Sequence, residues 1–289
     1  MLSTIQKINL AKIAYYLVMT VRRLLRRTSQ QIKVTRRGIQ WCLDLREGID
    51  FSIYILGGFE PSTLRLYNGL VKTGDVVLDI GANIGSHTLP LAKLVGNKGH
   101  VYAFEPTDFA FRKLNNNLQL NDALIERVTV FQQMLVFDKN TAIENELFSS
   151  WPLVSADQLH EKHKGRLMLT TGAHAVTLDD AISENNITTV DFIKLDVDGF
   201  EYAVLSGGAK TINKFKPTIL IELAPYVYKD KKSEFIEMIN AFKNIGYCFH
   251  DANNGKSFPV DGEELFNLIP DGVSRNIVAR VNFFNGSHI

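Results

Sequence analysis

The most distinctive chemical feature of this chain is a glycine turn that is followed, 20 residues later, by an acid. An apolar run at 76–80 contains Asp79 and leads into a turn that holds Gly81 and Gly85. A second apolar run ends at Glu105. An acid at this distance from a glycine turn that ends a strand is placed to accept hydrogen bonds from ribose hydroxyls. The pattern predicts a binding site for a molecule that contains a nucleoside.

The turn lacks the spacing that binds a pyrophosphate. Gly81 and Gly85 let backbone and ligand approach without a Cβ between them, but they do not follow the Gly-x-Gly-x-x-Gly pattern that brings amides onto a diphosphate. Asp79 also places negative charge where a diphosphate would be repelled. A cofactor with a ribose and a positively charged amino-acid portion, but no phosphate, fits a site lined by Asp79, Asn83 and Glu105. S-adenosylmethionine is such a molecule.

A second group of charged residues lies within the segment 191–201. A strand that is buried on both faces is normally apolar throughout, whereas this one alternates and puts Lys194, Asp196 and Asp198 on one face. One interpretation is that these side chains, with Glu222 from a later strand, face a ligand at the carboxyl end of the sheet. The other is that Lys194 and Asp196 form an ion pair inside the sheet while Asp198 caps the next helix.

The elements that must position these groups alternate along the chain. Helices are predicted at 61–71, 86–95, 108–120, 178–184, 201–213 and 233–245, and strands at 76–80, 100–104, 128–136, 190–197, 218–222, 247–250 and 276–281. This alternation predicts a doubly wound α/β sheet. Alternating residues at 41–45 and 51–55 predict a small antiparallel hairpin before it. The segment 138–172 has no clear period, and we expect it to pass over the active face and recognise the acceptor.

Charge is unevenly distributed, although the net charge is only +1. Residues 1–43 contain nine Lys or Arg and no acid, which leaves 23 basic and 31 acidic residues in the rest of the chain. Such a body gives no basic face for nucleic acid. Cys42 and Cys248 are far apart and indicate neither a disulfide framework nor a zinc site, so we expect a cytoplasmic protein. The carboxylates Asp196, Asp198 and Glu222 are an incomplete set for magnesium, and no metal is predicted.

The basic N-terminal segment predicts an amphipathic helix. Its apolar stretch 8–21 is interrupted by Lys12 and is too short to span a membrane, and an arginine cluster follows it at 22–27. We expect residues 5–27 to contact an anionic membrane surface. The side chains expected to face lipid are Tyr15, Tyr16, Leu17 and Met19. The alternatives are a helix that packs on its own domain or on a partner and, with less support from the composition, a mitochondrial transit peptide.

Taken together, the motifs resemble the FkbM family of S-adenosylmethionine-dependent methyltransferases. The residues that carry the resemblance lie between positions 41 and 280, at 57–61, 74–85, 104–106, 114, 117, 121, 191–201, 216–217 and 222. The resemblance implies a class I, Rossmann-like methyltransferase fold with a seven-stranded, mostly parallel sheet whose last strand is antiparallel. It also implies O-methylation of a hydroxyl on a sugar, a glycan or a secondary metabolite.

The site residues follow from the motifs and the resemblance. The predicted cofactor-binding residues are Glu60, Asp79, Gly81, Ala82, Asn83, Gly85, Ser86, Glu105 and Pro106. The predicted active-face residues are Asp198, Glu201 and Glu222. Methylation of a hydroxyl requires a general base, for which Asp196 is the first candidate, held in place by Lys194, and His174 is the second. The chain departs from the family pattern in having Asp198 where Glu is usual, and Ser86-His87 where an aromatic residue follows Gly85.

We predict two parts, a basic arm at 1–39 and a methyltransferase domain at 40–289. The cofactor-binding half of this domain is expected at about 61–138, and the acceptor-side excursion at about 138–172. Two other functions are considered. A nicotinamide-dependent oxidoreductase shares this fold class but requires the pyrophosphate turn that the chain lacks. A non-catalytic, membrane-associated module would retain the fold while the arm binds lipid.

Overall fold

The computed structural model describes residues 4–154, 159 and 165–281. The strands are β1 Gln31–Arg36, β2 Ile39–Asp44, β3 Val76–Ile80, β4 His100–Phe104, β5 Val128–Phe131, β6 Gln133–Leu135, β7 Glu146–Ser149, β8 Arg166–Leu169, β9 His174–Val176, β10 Phe192–Leu195, β11 Thr218–Leu223, β12 Tyr247–Asp251, β13 Ser257–Phe258 and β14 Arg275–Val281. The helices are α1 Thr4–Leu24, α2 Gly48–Leu56, α3 Pro61–Leu70, α4 Thr88–Val95, α5 Asp108–Gln119, α6 Asp122–Ile125, α7 Leu178–Glu184, α8 Glu201–Gly207, α9 Ala209–Phe215, α10 Lys232–Ile245 and α11 Gly262–Leu268. Short 3₁₀ helices occupy Gly96–Lys98 and Pro225–Lys231.

The main sheet has the strand order β13-β12-β14-β11-β10-β3-β4-β5. Neighbouring strands from β11 to β5 are parallel, whereas β14 is antiparallel to both β11 and β12. The predicted doubly wound sheet of seven strands with an antiparallel last strand is therefore confirmed, and the two-residue β13 extends its edge. In this topology the carboxyl ends of β3, β4, β10 and β11 meet at one edge.

Helices cover both faces of this sheet, which explains why its central strands are apolar. Leu78 and Ile80 of β3 are buried in the core on one face, and Val77 is buried in the core on the other. The charged positions of β10 and β11 lie where these strands reach the ligand edge. Burial of the apolar residues fixes the strands in the sheet, and the strands in turn hold the charged residues at the ligand edge.

The predicted hairpin is wrong in its second half. The two antiparallel strands are β1 and β2, so the boundary proposed at 39/40 falls inside the strand pair. Residues 51–55 belong to helix α2. Ile49 and Ile53 are both buried and lie four residues apart, which is the spacing of one helical face.

Two other predicted elements are divided. The predicted strand at 128–136 consists of β5 and β6, because β6 leaves the main sheet and pairs with β9. The predicted helix at 201–213 consists of α8 and α9, which meet at Gly208.

The hairpin and the arm are attached to the domain by specific contacts. Asn117, which is fully buried on α5, accepts a hydrogen bond from the Cys42 amide (2.9 Å) and donates one to the Ile84 carbonyl (3.0 Å). On α1, the ring of Tyr15 packs edge-on against Phe51 with centroids 5.6 Å apart. Helix α1 thus packs against α2. Within the described ranges, no helix combines the length and the apolar character that a bilayer crossing requires.

Candidate active site

The glycine turn lies between the ends of β4 and β10. The amides of Gly81 and Ala82 donate to the carbonyl of Phe104 at 3.1 and 3.0 Å. A Cβ on Gly81 would lie 1.9 Å from the backbone oxygen of Asp196, and Gly81 also has a φ of 81°. A side chain here would therefore push the strand ends apart. Likewise, a Cβ on Gly85 would meet Leu114 at 2.4 Å, so in this structure both glycines permit close packing within the protein.

Glu105 connects the turn to the end of β4. It is only 3% exposed, and its Oε1 accepts hydrogen bonds from the Thr107 amide (2.8 Å) and hydroxyl (2.5 Å). Its Oε2 accepts one from the Asn83 amide at 2.9 Å. Burial raises the pKa of Glu105, and these hydrogen bonds oppose the rise. Because a carboxylate oxygen can accept two hydrogen bonds, Oε2 has capacity for one further donor, such as a ribose hydroxyl.

Asp79 lies beneath the turn. Its side chain is fully buried, and its Oδ2 accepts a hydrogen bond from the Thr88 hydroxyl at 2.6 Å. Its Oδ1 is buried without a hydrogen-bond partner among the described residues. Burial raises the pKa of Asp79, whereas the charge of Lys194 lowers it. Asp79 thus supports the turn and faces the lysine of the neighbouring strand.

A cavity of about 1210 Å³ lies at this edge of the sheet. The predicted site residues that line it are Glu60, Gly81, Asn83, Ser86, Glu105, Pro106, Lys194, Asp196, Asp198 and Glu222. The predicted site residues outside the lining are Asp79, Ala82, Gly85, His174 and Glu201. Single ligand pockets are typically about 300–1,000 Å³. The cavity is therefore large enough for two ligands, such as a cofactor and an acceptor.

Lys194 and Asp196 form the predicted ion pair at the cavity wall. The Nζ of Lys194, whose side chain is 6% exposed, donates to Oδ2 of Asp196 at 3.0 Å. The side chain of Asp196 is 27% exposed. Burial opposes the ionisation of Asp196, but Lys194 and a hydrogen bond with Glu222 outweigh this effect and lower its pKa. Asp196 is therefore ionised at neutral pH.

The pKa of Glu222 shifts in the opposite direction. Burial and the neighbouring charge of Asp196 raise the pKa of Glu222 well above its ordinary value. Burial disfavours the charge of Lys194, yet the carboxylates of Asp196, Asp79 and Glu60 together raise its pKa. The resulting group contains a buried lysine cation, an ionised Asp196, and Glu222, whose raised pKa favours the protonated form and which shares a hydrogen bond with Asp196.

Of the two interpretations of Asp198, the one in which it caps the next helix is wrong. Helix α8 begins after Phe200 without any side-chain cap, and Asp198 is instead exposed towards the cavity with a φ of 50°. The loop is held instead by the buried Glu201, whose Oε1 accepts hydrogen bonds from the amides of Val197 and Gly199, both at 3.2 Å. Its Oε2 accepts one from the Tyr228 hydroxyl at 2.6 Å. Glu201 therefore shapes the loop from beneath.

His87 lines the cavity, although sequence reasoning did not propose it as a site residue. The side chain is 3% exposed, with Nδ1 2.8 Å from the Tyr67 hydroxyl and Nε2 buried without a partner among the described residues. Burial and the nearby Lys194 lower the pKa of His87 to about 3. The sequence feature that could have pointed to His87 is the Ser86-His87 pair, which replaces the aromatic residue of the family pattern.

His174 is not brought to this cavity. It begins β9, where it pairs with Gln133 of β6, and its side chain is exposed. Position in the fold thus separates it from Asp196, and it is not retained as a candidate base.

The predicted acceptor-side excursion lies over the turn. Its strands β7 and β8 are antiparallel, and the Asn83 side chain donates to the hydroxyls of Ser149 (3.2 Å) and Ser150 (3.1 Å). Residues 144–151 line the cavity. Residues 155–158 and 160–164 of the excursion lie outside the described residues. In the part that is described, no group of three or more His, Cys, Asp or Glu side chains could hold a metal ion.

Comparisons with known proteins identify the family of the chain. The model of the family "Methyltransferase FkbM domain" matches residues 79–249. Similar proteins include the 2-O-methyltransferase NoeI of Sinorhizobium fredii, 26% identical over 53% of this chain and 67% of its own length, and the hexuronic acid methyltransferase AglP of Haloferax volcanii, 24% identical over 51% and 56%. The 31-O-demethyl-FK506 methyltransferase FkbM of Streptomyces tacrolimicus is 29% identical over 47% of this chain and 60% of its own. The chain therefore spans less than two thirds of AglP and of FkbM.

A solved structure of methyltransferase FkbM from Methylobacillus flagellatus is 21% identical and has a TM-score of 0.44, covering 76% of this chain and 47% of that one. The family assignment rests on the family model, which matches more than half of the chain. The chain belongs to the FkbM methyltransferase family.

Proposed function

We propose that this chain is an S-adenosylmethionine-dependent O-methyltransferase that acts on a hydroxyl of a sugar or a related polyol. Family membership supports methyl transfer, and the names of NoeI and AglP describe a 2-O-methyltransferase and a hexuronic acid methyltransferase. The observation that carries the proposal is an ionised Asp196 in the wall of the cavity that Glu105 also lines. The same cavity thus contains a proton acceptor, Asp196, and a proposed ribose-binding group, Glu105.

The residues present fit S-adenosylmethionine. Oε2 of Glu105 has capacity for a ribose hydroxyl, and the carboxyl groups of Glu60, Asp196 and Asp198 face the same space. This acidic lining suits a positively charged ligand and repels a diphosphate. When bound, the cofactor supplies a methyl group on a positively charged sulfur. The lining and the family match both favour this cofactor over a nicotinamide.

Asp196 acts as the general base in this proposal. Its carboxylate would accept the proton of the acceptor hydroxyl, which makes that oxygen a stronger nucleophile for methyl transfer. Lys194 keeps that carboxylate ionised and fixes its orientation through the 3.0 Å contact. A positioned base of this kind typically contributes about 10²–10⁴-fold in rate.

His87 orients the acceptor as a neutral hydrogen-bond donor. The buried Tyr67 hydroxyl has His87 Nδ1 as its hydrogen-bond partner among the described residues, so its proton is placed on that bond. We infer that the ring hydrogen of His87 is then on Nε2, which is buried without a partner among the described residues and can donate to a bound acceptor. The low pKa of His87 keeps the ring neutral at physiological pH, so it donates without exchanging charge.

The outer face of α1 contacts a membrane surface in the same proposal. Five apolar side chains lie along this face and are 54–79% exposed: Leu10, which also lines the rim of the cavity, Ile13, Leu17, Val21 and Leu24. Their spacing forms one stripe, and Arg23, Arg26 and Arg27 are exposed near its end. An apolar stripe with a cationic end suits anionic lipid.

The structure changes which residues of α1 would face lipid. Tyr15 is buried, and Met19 packs beside it against the domain, so their expected orientation towards lipid is wrong. Arg22 is also buried and donates to the Tyr54 hydroxyl at 3.1 Å. Tyr16 and Leu17 are exposed as expected. The exposed apolar stripe therefore lies on a different face of α1 from the residues that anchor the helix to the domain.

Two measurements test the catalytic proposal. Calorimetry should show saturable binding of S-adenosylhomocysteine and no binding of NAD. Transfer of a labelled methyl group from S-adenosylmethionine should then be screened over free sugars, polyols and glycolipids. A folded protein that binds NAD, or that fails to bind S-adenosylhomocysteine, would overturn the proposal.

A further inference from the structure

The cavity has an apolar end that lies beneath α1. The apolar lining residues from α1 and α2, and from the loop after α2, are Ile8, Leu10, Ala11, Ala14, Ile49, Phe51, Ile55, Leu56 and Phe59. Leu10, Ile55 and Leu56 are 54%, 43% and 56% exposed. Long apolar side chains left exposed around one opening indicate a surface that binds an apolar ligand. We call this opening the α1–α2 groove.

The groove is continuous with the reaction end of the cavity. The ring of Phe59 packs edge-on against the imidazole of His87, with centroids 5.8 Å apart. His87 in turn lies in the same wall as Lys194 and Asp196. A ligand that extends from Asp196 past Phe59 therefore passes from polar to apolar surroundings within one cavity.

Small side chains leave this groove open. Ala11 and Ala14 lie on the side of α1 that faces the domain, where residues of the size of Ile8 and Tyr15 are buried. They are partly buried and also line the cavity. The opening lies under the helix whose outer face carries the exposed apolar stripe and the arginines.

We infer that the acceptor is a glycolipid. Its hydroxylated headgroup lies at Asp196, and its hydrocarbon chain lies in the α1–α2 groove. This inference rests on the proposed O-methyltransferase function and narrows the substrate to a class. A free sugar has no apolar portion to occupy the groove, whereas an amphiphile matches both ends of the cavity. With α1 on a membrane, the groove opens where such an acceptor resides.

Chain-length dependence of binding tests the inference. The probes are methyl, hexyl, octyl and decyl β-D-glucoside, each below its micelle-forming concentration, titrated calorimetrically into the full chain with S-adenosylhomocysteine present. Burial of each additional methylene should raise affinity by about two- to fourfold until the groove is filled. Ala14→Trp should abolish this increase by filling the groove. Thr20→Trp, at an exposed position of the same helix, should leave it unchanged.

A second variant avoids dependence on the folding of Ala14→Trp. Leu56→Ser changes an exposed lining residue and should reduce the gain per methylene without affecting S-adenosylhomocysteine binding. Affinity that does not depend on chain length in the unaltered protein would overturn the inference. So would a dependence that persists in both groove variants, because the chain would then bind elsewhere.

The two proposals fail in different ways. If S-adenosylhomocysteine binds and methyl groups are transferred to free sugars as well as to alkyl glucosides, the glycolipid inference is wrong and the proposed function stands. If the folded protein binds no S-adenosylhomocysteine, the proposed function is wrong and the inference fails with it.

Discussion

Lys194 Nζ lies 3.0 Å from Asp196 Oδ2 at the end of β10, and in the sheet register Lys194 pairs with Asp79 of β3. One buried cation thus stands between a carboxylate that supports the glycine turn and one that faces the cavity. Removing one member of such a buried group leaves an uncompensated charge, which is strongly destabilising. The pair therefore links the integrity of the cofactor turn to the ionisation of the proposed base.

Replacing Asp196 by Asn should abolish most turnover. The amide cannot accept the acceptor proton, so kcat of the folded variant should fall by about 10²–10⁴-fold. The carboxylates of Asp79 and Glu60 still compensate the charge of Lys194, so affinity for S-adenosylhomocysteine should change by less than about threefold. Steady-state kinetics and calorimetry on the same preparation measure the two effects. Asp198→Asn is the matched control, with a loss below about tenfold. Full turnover by Asp196→Asn would show that another group accepts the proton.

Glu105→Gln should weaken cofactor binding. Glutamine has a single acceptor oxygen, and Glu105 already accepts hydrogen bonds from the amides of Asn83 and Thr107. Loss of a charged acceptor should lower S-adenosylhomocysteine affinity by about 10- to 100-fold. Calorimetry checks this, with the exposed lining residue Glu144→Gln as the control. Equal affinities for both variants would argue against ribose recognition by Glu105.

Tyr67→Phe should affect the acceptor more than the cofactor. Without the hydroxyl, the Nε2 hydrogen of His87 is no longer fixed, so kcat/KM for the acceptor should fall by about two- to tenfold, the value of one hydrogen bond. Nitrogen NMR of labelled histidine should show hydrogen on Nε2 in the unaltered protein and a tautomer mixture in the variant. Tyr16→Phe, at an exposed tyrosine, is the control. Hydrogen on Nδ1 of His87 in the unaltered protein would contradict the assignment.

Binding of the charged cofactor should depend on pH through Asp198. Asp198 is open to the cavity but surrounded by its walls, and the resulting loss of water contacts, with the charges of Asp196 and Glu201, raises its pKa to about 7. The group is therefore largely protonated below this pH and gains a negative charge above it. S-adenosylmethionine, with its positive sulfur, should bind up to about fivefold more tightly at about pH 7.5 than at about pH 6, whereas S-adenosylhomocysteine should not. Asp198→Asn should remove the difference, and identical pH profiles for the two ligands before mutation would refute it.

Leu17→Glu combined with Leu24→Glu should weaken membrane binding. These residues are 65% and 79% exposed, so the change should leave the fold intact while it puts charge on the apolar stripe. Co-sedimentation with phosphatidylglycerol vesicles should fall by about tenfold or more. Leu268→Glu, at an exposed leucine of α11, should have no effect. Undiminished sedimentation of the double variant would exclude α1 as the contact.

The sequence predicted the order of helices and strands because the central strands are buried on both faces. Apolar runs such as 76–80 could be recognised as strands without knowing which strands lie beside them. The charged residues of β10 stood out because a strand that is buried on both faces is normally apolar. Prediction failed in short segments whose secondary structure depends on the neighbours that they pack against. Residues 51–55 alternate in sequence, yet Ile49 and Ile53 form a helical face, and only their packing against the domain selects the helix.

The sequence by itself indicated the fold and the glycine turn, because hydrophobic periodicity and glycine geometry act over a few residues, and its motifs carried the resemblance to the family. Only the tertiary structure decided which side chains meet. It placed Asp79 and Glu201 beneath the site, left His174 outside it, and brought His87 and α1 to the cavity wall. Contacts between distant segments depend on how strands and helices pack, and ionisation depends on the burial and charge that this packing creates.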